Sequence, residues 1–182
     1  MVDIDNDGDL DIYICNFDTP NHLFINNGDG TFTEQAKQFG VDFVGAGHTP
    51  TFCDYDLDGD LDFYLMTNFY DDPRGKSEKP ISGMVDGKPS IMPGFEKYYE
   101  VTNVRRGAKP GSIFIDHEIM GQPDRLVRNN GDGTFTDVTK QAGIKGNGKG
   151  NSATWWDYNE DRWPDIYVGN DFKDPDLSLI HI

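Results

Sequence analysis

Side-chain oxygens spaced two residues apart recur at three places in this chain. Asp3, Asp5, Asp7, Asp9 and Asp11 surround Gly8, and Asp54, Asp56, Asp58, Asp60 and Asp62 surround Gly59. A third stretch keeps part of the pattern: Asp157, Asn159, Asp161 and Asp165, with Arg162 in the place of the glycine and Trp163 after it. Numbered within each loop, the oxygen-bearing side chains fall at positions 1, 3, 5 and 9, and the turn residue at position 6. This array suits a hard cation that takes about six to eight oxygens in a flexible shell, and calcium is the expected ion. Position 7, held by Asp9, Asp60 or Trp163, is expected to offer its backbone carbonyl, so a tryptophan fits there. Without a cation, so many like charges in one folded turn disfavour one another. The competing reading of each loop is a solvated acidic turn; three copies in register, each leading into a similar segment, favour calcium. The third copy lacks the glycine and one carboxylate, and is expected to bind more weakly or not at all.

The segments that leave the loops decide which kind of calcium loop this is. A helix-flanked loop of the EF-hand type ends in a bidentate Glu at its twelfth position. Here that position holds Ile14, Leu65 or Val168. The outgoing segments, 11–16, 62–67 and 165–169, are short, β-branched and aromatic, which predicts buried strands. Each ladder therefore sits on a turn between two strands.

The self-similarity extends past the loops. Leu23-Phe-Ile-Asn-Asn-Gly-Asp-Gly-Thr-Phe-Thr33 matches Leu126-Val-Arg-Asn-Asn-Gly-Asp-Gly-Thr-Phe-Thr136 at the same offset that relates Asp54 to Asp157 (157 − 54 = 103). The first and second ladders are offset by 51 (54 − 3), so one unit is about fifty residues and the second unit carries an insertion. A unit reads as four strands: one entering the ladder (49–53), one leaving it (62–67), and a hairpin (126–130 and 134–138) turned by Asn-Gly-Asp-Gly. Repeated four-stranded units predict an all-β fold, a fragment of a β-propeller built from blades with Asp-rich calcium loops. Residues 1–68 are expected to form the first blades, 69–123 an insertion within a blade, and 124–176 a further blade and the start of the next. The inserted stretch is rich in Gly, Pro, Lys and Ser, with aromatics at Phe95, Tyr98 and Tyr99. It reads as a long excursion from a blade, with a decayed blade as the alternative. It is either a binding element or a variable loop.

These residues resemble the FG-GAP/VCBS repeat family, the calcium-loop propeller blades also found in integrin α-subunit heads. Gly45-Ala-Gly47 and Gly148-Lys-Gly150 loosely match that family's glycine motif. The Asn-Asn-Gly-Asp-Gly-Thr-Phe hairpin, the trailing Ala142-Gly143-Ile144 and the long insertion look most like the ASPIC/UnbV and cartilage-acidic-protein branch. The resemblance covers nearly all of residues 1–176. It implies a secreted, cell-surface or periplasmic protein with a role in adhesion and ligand binding. The degenerate third ladder and the absence of an ASPIC/UnbV C-terminal domain depart from that pattern.

With two to three blades counted where closure takes about four to eight, the chain is expected to be a piece of a longer protein. The first ladder begins at residue 3, so Met1 is expected to be an internal methionine. Leu177-Ser-Leu-Ile-His-Ile182 breaks the pattern and matches one reading frame of a common transposon-end sequencing adapter, so it is expected to be non-native. No signal peptide or apolar membrane-spanning run is visible in the sequence.

A net charge of −16 argues against nucleic acid as a partner. Cys15 and Cys53 are the only cysteines, read as buried free thiols with a disulfide left open. The Gly-rich 146–150 stretch lacks phosphate-loop spacing and is read as a linker. Trp155 and Trp156 are assigned to packing between blades, with a sugar-stacking platform as the alternative. Two functions are compatible with these residues. One is a calcium-stabilised, non-catalytic module that meets a protein or glycan. The other is the propeller scaffold of a polysaccharide-acting hydrolase or lyase, for which Asp116, His117, Glu118, Glu96 and Glu100 are the available acid–base groups.

Overall fold

The computed structural model describes residues 1–70, 79–145, 148–171 and 175–179. Residues 71–78 of the insertion, Gly146 and Asn147 of the glycine-rich stretch, and 180–182 of the expected adapter-derived tail lie outside the described residues. The chain divides into two compact units, 1–68 with 122–182, and 69–121. In chain order the strands are β1 (Ile12–Ile14), β2 (Phe17–Pro20), β3 (His22–Asn26), β4 (Phe32–Glu34), β5 (Val44–Cys53), β6 (Asp62–Thr67), β7 (Ser82–Val85), β8 (Lys88–Ile91), β9 (Tyr99–Arg106), β10 (Ile113–Ile119), β11 (Arg125–Asn129), β12 (Phe135–Asp137), β13 (Gly150–Trp156), β14 (Asp165–Asn170) and β15 (Leu177–Leu179). One short helix, α1 (Ala36–Phe39), follows β4 and ends on Gly40 in the left-handed region.

The first unit is built from antiparallel meanders of the blade type. The central one runs β5-β6-β11-β12, four strands taken in chain order, with β2 added outside β5. The flanking meanders are β1-β3-β4 and β13-β14-β15. Each acidic loop joins the same two elements of its meander. Cys53 pairs with Asp62 across the second loop and Trp156 with Asp165 across the third. Val2 makes the equivalent bridge to Asp11 across the first. The incoming strand β5 begins at Val44, earlier than the predicted 49, because the stretch around Gly45 and Gly47 is extended and pairs with β2 and β6. β2 was not foreseen: it is wholly exposed and ends in proline, so it carries no alternation signal.

The Asn-Gly-Asp-Gly hairpins form as predicted. Asn27 and Asn130 donate backbone N–H groups to the carbonyls of Thr31 and Thr134, at 3.0 Å in both repeats. Two apolar clusters lie between the meanders. One gathers Leu23, Val41, Phe63, Leu65 and Val127; the other gathers Tyr64, Met66, Leu126, Ile166 and Val168. Successive β6 residues point to opposite clusters, because the strand is buried on both faces. Trp155 stacks on Tyr55 (6.3 Å, 11°) and donates its indole N–H to the Thr51 carbonyl at 3.2 Å, so it packs one meander on the next. Trp156 lies on the other face with Tyr158 and Tyr167.

The second unit is two antiparallel hairpins, β7-β8 and β9-β10. Ser82 ties them together: its hydroxyl donates to the Ile115 carbonyl at 3.1 Å and meets His117 Nδ1 at 3.0 Å. Phe95 is buried and packs on Tyr99, 6.3 Å between ring centroids.

The cysteines are free, and the fold keeps them apart. The position a Cβ would take on Gly47 lies 3.5 Å from Cys15 Cβ. Cys53 is six residues further along β5, or about 20 Å of extended strand, beyond the reach of a disulfide.

Candidate metal centre

The three acidic loops follow one backbone path despite their different residues. Position 4 has positive φ in each (Asn6 61°, Leu57 59°, Glu160 61°), and so does position 6 (Gly8 93°, Gly59 97°, Arg162 78°). The third loop therefore keeps the glycine conformation without the glycine, and Arg162 bears the strain.

A lattice of carboxylate-to-backbone hydrogen bonds holds this path. The position 6 amide donates to the position 1 carboxylate in all three loops: Gly8 to Asp3 at 3.1 Å, Gly59 to Asp54 at 3.1 Å and Arg162 to Asp157 at 2.8 Å. The position 7 amide likewise donates to the position 5 carboxylate, at 2.9 Å from Asp9 to Asp7, 3.0 Å from Asp60 to Asp58 and 2.9 Å from Trp163 to Asp161. These are Asx-type turns, the local alternative to a ladder that Asp offers its own backbone.

Position 9 has a different task. Asp11 is fully buried; it accepts from Ile4 N at 2.9 Å with one oxygen and from Asn26 N on β3 at 2.8 Å with the other. Asp62, equally buried, accepts from Tyr55 N at 3.1 Å and from Asn129 N on β11 at 2.8 Å. Asp165 repeats the first of these contacts, from Tyr158 N at 2.9 Å. The position 9 carboxylate thus clamps the loop to the next hairpin. Burial, with neighbouring Asp56 and Asp58, pushes the Asp62 carboxyl up to about 7.

In the first loop, Asp3, Asp5 and Asp11 bring carboxylate oxygens within 4.8 Å of one another; in the second, Asp54, Asp56 and Asp58 do the same. Asp7 and Asp9 stand outside the first group, and Asp60 and Asp62 outside the second. Asp60 is engaged instead by Asn6, whose Nδ2 donates to it at 2.7 Å and links the two loops. One oxygen in each group, Asp3 Oδ1 and Asp56 Oδ1, is buried without a hydrogen-bond partner. A buried carboxylate oxygen with nothing to accept is costly unless a cation faces it, so both groups fit a hard divalent ion. Asp5 and Asp56 are raised above the usual carboxylate range, first by burial and then by their acidic neighbours. Among the described residues the third loop forms no such group. There the Asn159 amide donates to Asp161 at 2.7 Å and occupies an oxygen that a cation would need.

A motif at the opposite end of each outgoing strand, buried in the first two repeats and exposed in the third, escaped the sequence reading. Asp124 accepts from Tyr64 O–H at 2.7 Å, from Thr67 N at 2.6 Å and from Thr67 Oγ1 at 3.0 Å. Asn21 serves the first repeat, accepting from Asn16 N at 2.8 Å and donating to Tyr13 Oη at 3.0 Å. Asp176 serves the third, bonded to the Tyr167 hydroxyl and accepting from Asn170 N at 2.9 Å. The signal was present: Pro20-Asn21, Pro123-Asp124 and Pro175-Asp176 each precede a third strand of a meander.

The acid–base candidates lie in the second unit. Asp116 receives two bonds from Arg105, at 2.9 and 2.7 Å, which hold its carboxyl below the usual range. His117 is edge-on to Tyr99, Glu118 pairs across the strands with Glu100, and Glu96 accepts from Gly94 N at 2.6 Å.

The family model for the FG-GAP-like repeat matches residues 3–65 and 116–168, well over half the chain. The spans include all three acidic loops and both Asn-Gly-Asp-Gly hairpins. A search of curated proteins finds no match. Among the described residues no helix is long and apolar enough to cross a membrane.

Proposed function

The chain belongs to the FG-GAP-like repeat family, and we propose that its first two acidic loops bind calcium within a non-catalytic ligand-binding module. One observation carries the reading: each of these two loops gathers three carboxylates, one of which has a buried oxygen with no hydrogen-bond partner among the described residues. The ion would sit among Asp3, Asp5 and Asp11 in one loop and among Asp54, Asp56 and Asp58 in the other. Bound there, it would supply charge compensation and cross-link strand to strand, adding its binding free energy to folding. The third loop, with its internal Asn159–Asp161 bond, is assigned a structural role.

The setting we propose is extracellular, cell-surface or periplasmic, where calcium modules work at affinities of about 10⁻⁴–10⁻³ M. Adhesion and a place in the ASPIC/UnbV and cartilage-acidic-protein branch belong to the same proposal, supported by the hairpin sequence and the insertion. Its ligand would be a protein or a glycan. A non-catalytic role is supported by the engagement of Asp116 with Arg105, which takes one carboxylate beside His117 out of acid–base work.

Terbium luminescence tests the metal. Tyr55 and Trp155 stack beside the second loop and can sensitise a bound lanthanide. Emission displaced by calcium, far less by magnesium, and lowered by Asp54→Ala is the expected result. A folded chain that gives no emission would reduce the loops to acidic turns.

A further inference from the structure

The basic residues are distributed unevenly. Residues 69–121 hold eight of the 16 Lys and Arg, against eight Asp and Glu; the rest of the chain holds eight against 24. Within the insertion the cations concentrate at the β9–β10 tip. Arg105, Arg106 and Lys109 lie there, and no acidic residue stands between Glu100 and Asp116. Arg105 is taken up by Asp116, whereas Arg106 and Lys109 have no ion pair among the described residues.

The tip is ordered and partly apolar. Gly107 N donates to the Ser112 carbonyl at 2.8 Å, and Ser112 donates to the Lys109 carbonyl through N at 3.0 Å and through Oγ at 2.7 Å. Arg106 pairs across the strands with Ile113, so the two share a face, and Val104 lies two residues before Arg106 on that face. Val104 is 45% exposed and Ile113 38%. Phe114 pairs with Arg105 and stands on the opposite face, 59% exposed, with its ring against Gly107. Residues 106–113 enclose an open depression of about 480 Å³.

We propose that this tip docks an acidic glycan, a chain of sugars bearing carboxylate or sulfate. Arg106 and Lys109 would meet the anionic groups, while Val104 and Ile113 would cover the C–H faces of the rings. A cationic, apolar tip on a strongly acidic chain selects an anionic occupant by charge complementarity. Its size selects a linear one: an eight-residue turn cannot supply the roughly 800 Å² that each partner gives to a standard protein interface. The proposal rests on the reading of the chain as a binding module, but not on the metal.

Fluorescence polarisation on the full chain at about 0.15 M salt tests it, with and without calcium. The probes are a heparin hexasaccharide, an oligogalacturonate of equal length, a neutral dextran oligomer and poly-glutamate. At least one anionic oligosaccharide should bind in a salt-sensitive way and dextran should not. R106E/K109E and the milder R106Q/K109Q should weaken that binding by about tenfold or more, and I113A by several-fold, with circular dichroism unchanged. Lys37→Glu, in α1, should leave it intact. Equal binding by the double variants, or no anionic glycan bound by the wild type, overturns the proposal. Poly-glutamate bound as tightly as the best glycan would assign the tip to an acidic polypeptide, and overturns it too. A failed terbium experiment leaves each of these outcomes as informative as before.

Discussion

Asp56→Asn separates a calcium loop from an acidic turn by two signs measured on one variant. Asp54, Asp56 and Asp58 hold oxygens within 4.8 Å of one another. At that distance two unit charges repel by about 1 kcal/mol in a water-like dielectric and by about 3.5 kcal/mol at an effective value of about 20. Asp58 is exposed and the other two are half-buried, so the lower figure applies. Neutralising Asp56 removes two such pairs and should stabilise the metal-free protein by about 1–2 kcal/mol. The same change removes a charged ligand. For the loop's own share, calcium at about 100 times the dissociation constant adds about 2.7 kcal/mol to stability; a thirtyfold weaker site keeps about 0.9 kcal/mol of it. Urea titrations with calcium and with chelator give both quantities. The variant should be more stable than wild type without calcium, and should gain less from calcium. An unchanged calcium increment would refute calcium binding at the second loop. A metal-free variant no more stable than wild type would refute the repulsion.

Asp124 offers a sharper test of the buried clamps. Asp124→Ala strands the Tyr64 hydroxyl and the Thr67 amide, while the Thr67 hydroxyl keeps the Gln122 carbonyl, and should cost about 3 kcal/mol in denaturant titration, whereas Asp124→Asn, which copies Asn21, should cost about 1 kcal/mol. Burial holds the Asp124 carboxyl above the usual range, so its contribution is fully present below the unfolded value near 4 and is lost as pH rises through the folded value; wild type should lose stability relative to Asp124→Asn in that direction. Arg162→Gly should stabilise by about 0.5–1 kcal/mol in the same assay, since Arg162 stands at φ 78°. Asn6→Ala should weaken the coupling between the first and second loops, read by calorimetry as more independent calcium steps, because its amide spans them. Cys15 and Cys53, pushed up to about 11 chiefly by burial, should react slowly with alkylating agents near neutral pH and leave no mutual disulfide in a mass map.

How much of this molecule could be read from its sequence depends on how local the responsible interactions are. The all-β fold and its repeat were legible because alternate aspartates, Asn-Gly-Asp-Gly turns and β-branched outgoing segments act within a few residues of themselves. The left-handed residue at position 4 was not, since Asn6, Leu57 and Glu160 share no chemistry and the loop closure imposes the angle on each. Nor was the clamp at position 9. Asp11 and Asp62 look like their neighbours in the ladder, but their second partners lie on hairpins 15 and 67 residues away. Which carboxylates converge was hidden for the same reason: Asp60 is drawn to Asn6, 54 residues distant, and leaves the group. The Pro-Asx pair was written plainly at the 103-residue offset, from Asn21 to Asp124 (124 − 21), yet two residues are too little for periodicity to flag. Its physical sense appears only when Tyr64 on one strand and Asp124 before another meet in a dry interior, where an unsatisfied hydroxyl or amide costs more than a net hydrogen bond returns. A ladder of like residues therefore marks a turn, while the role of each rung is set by the strand that arrives beside it.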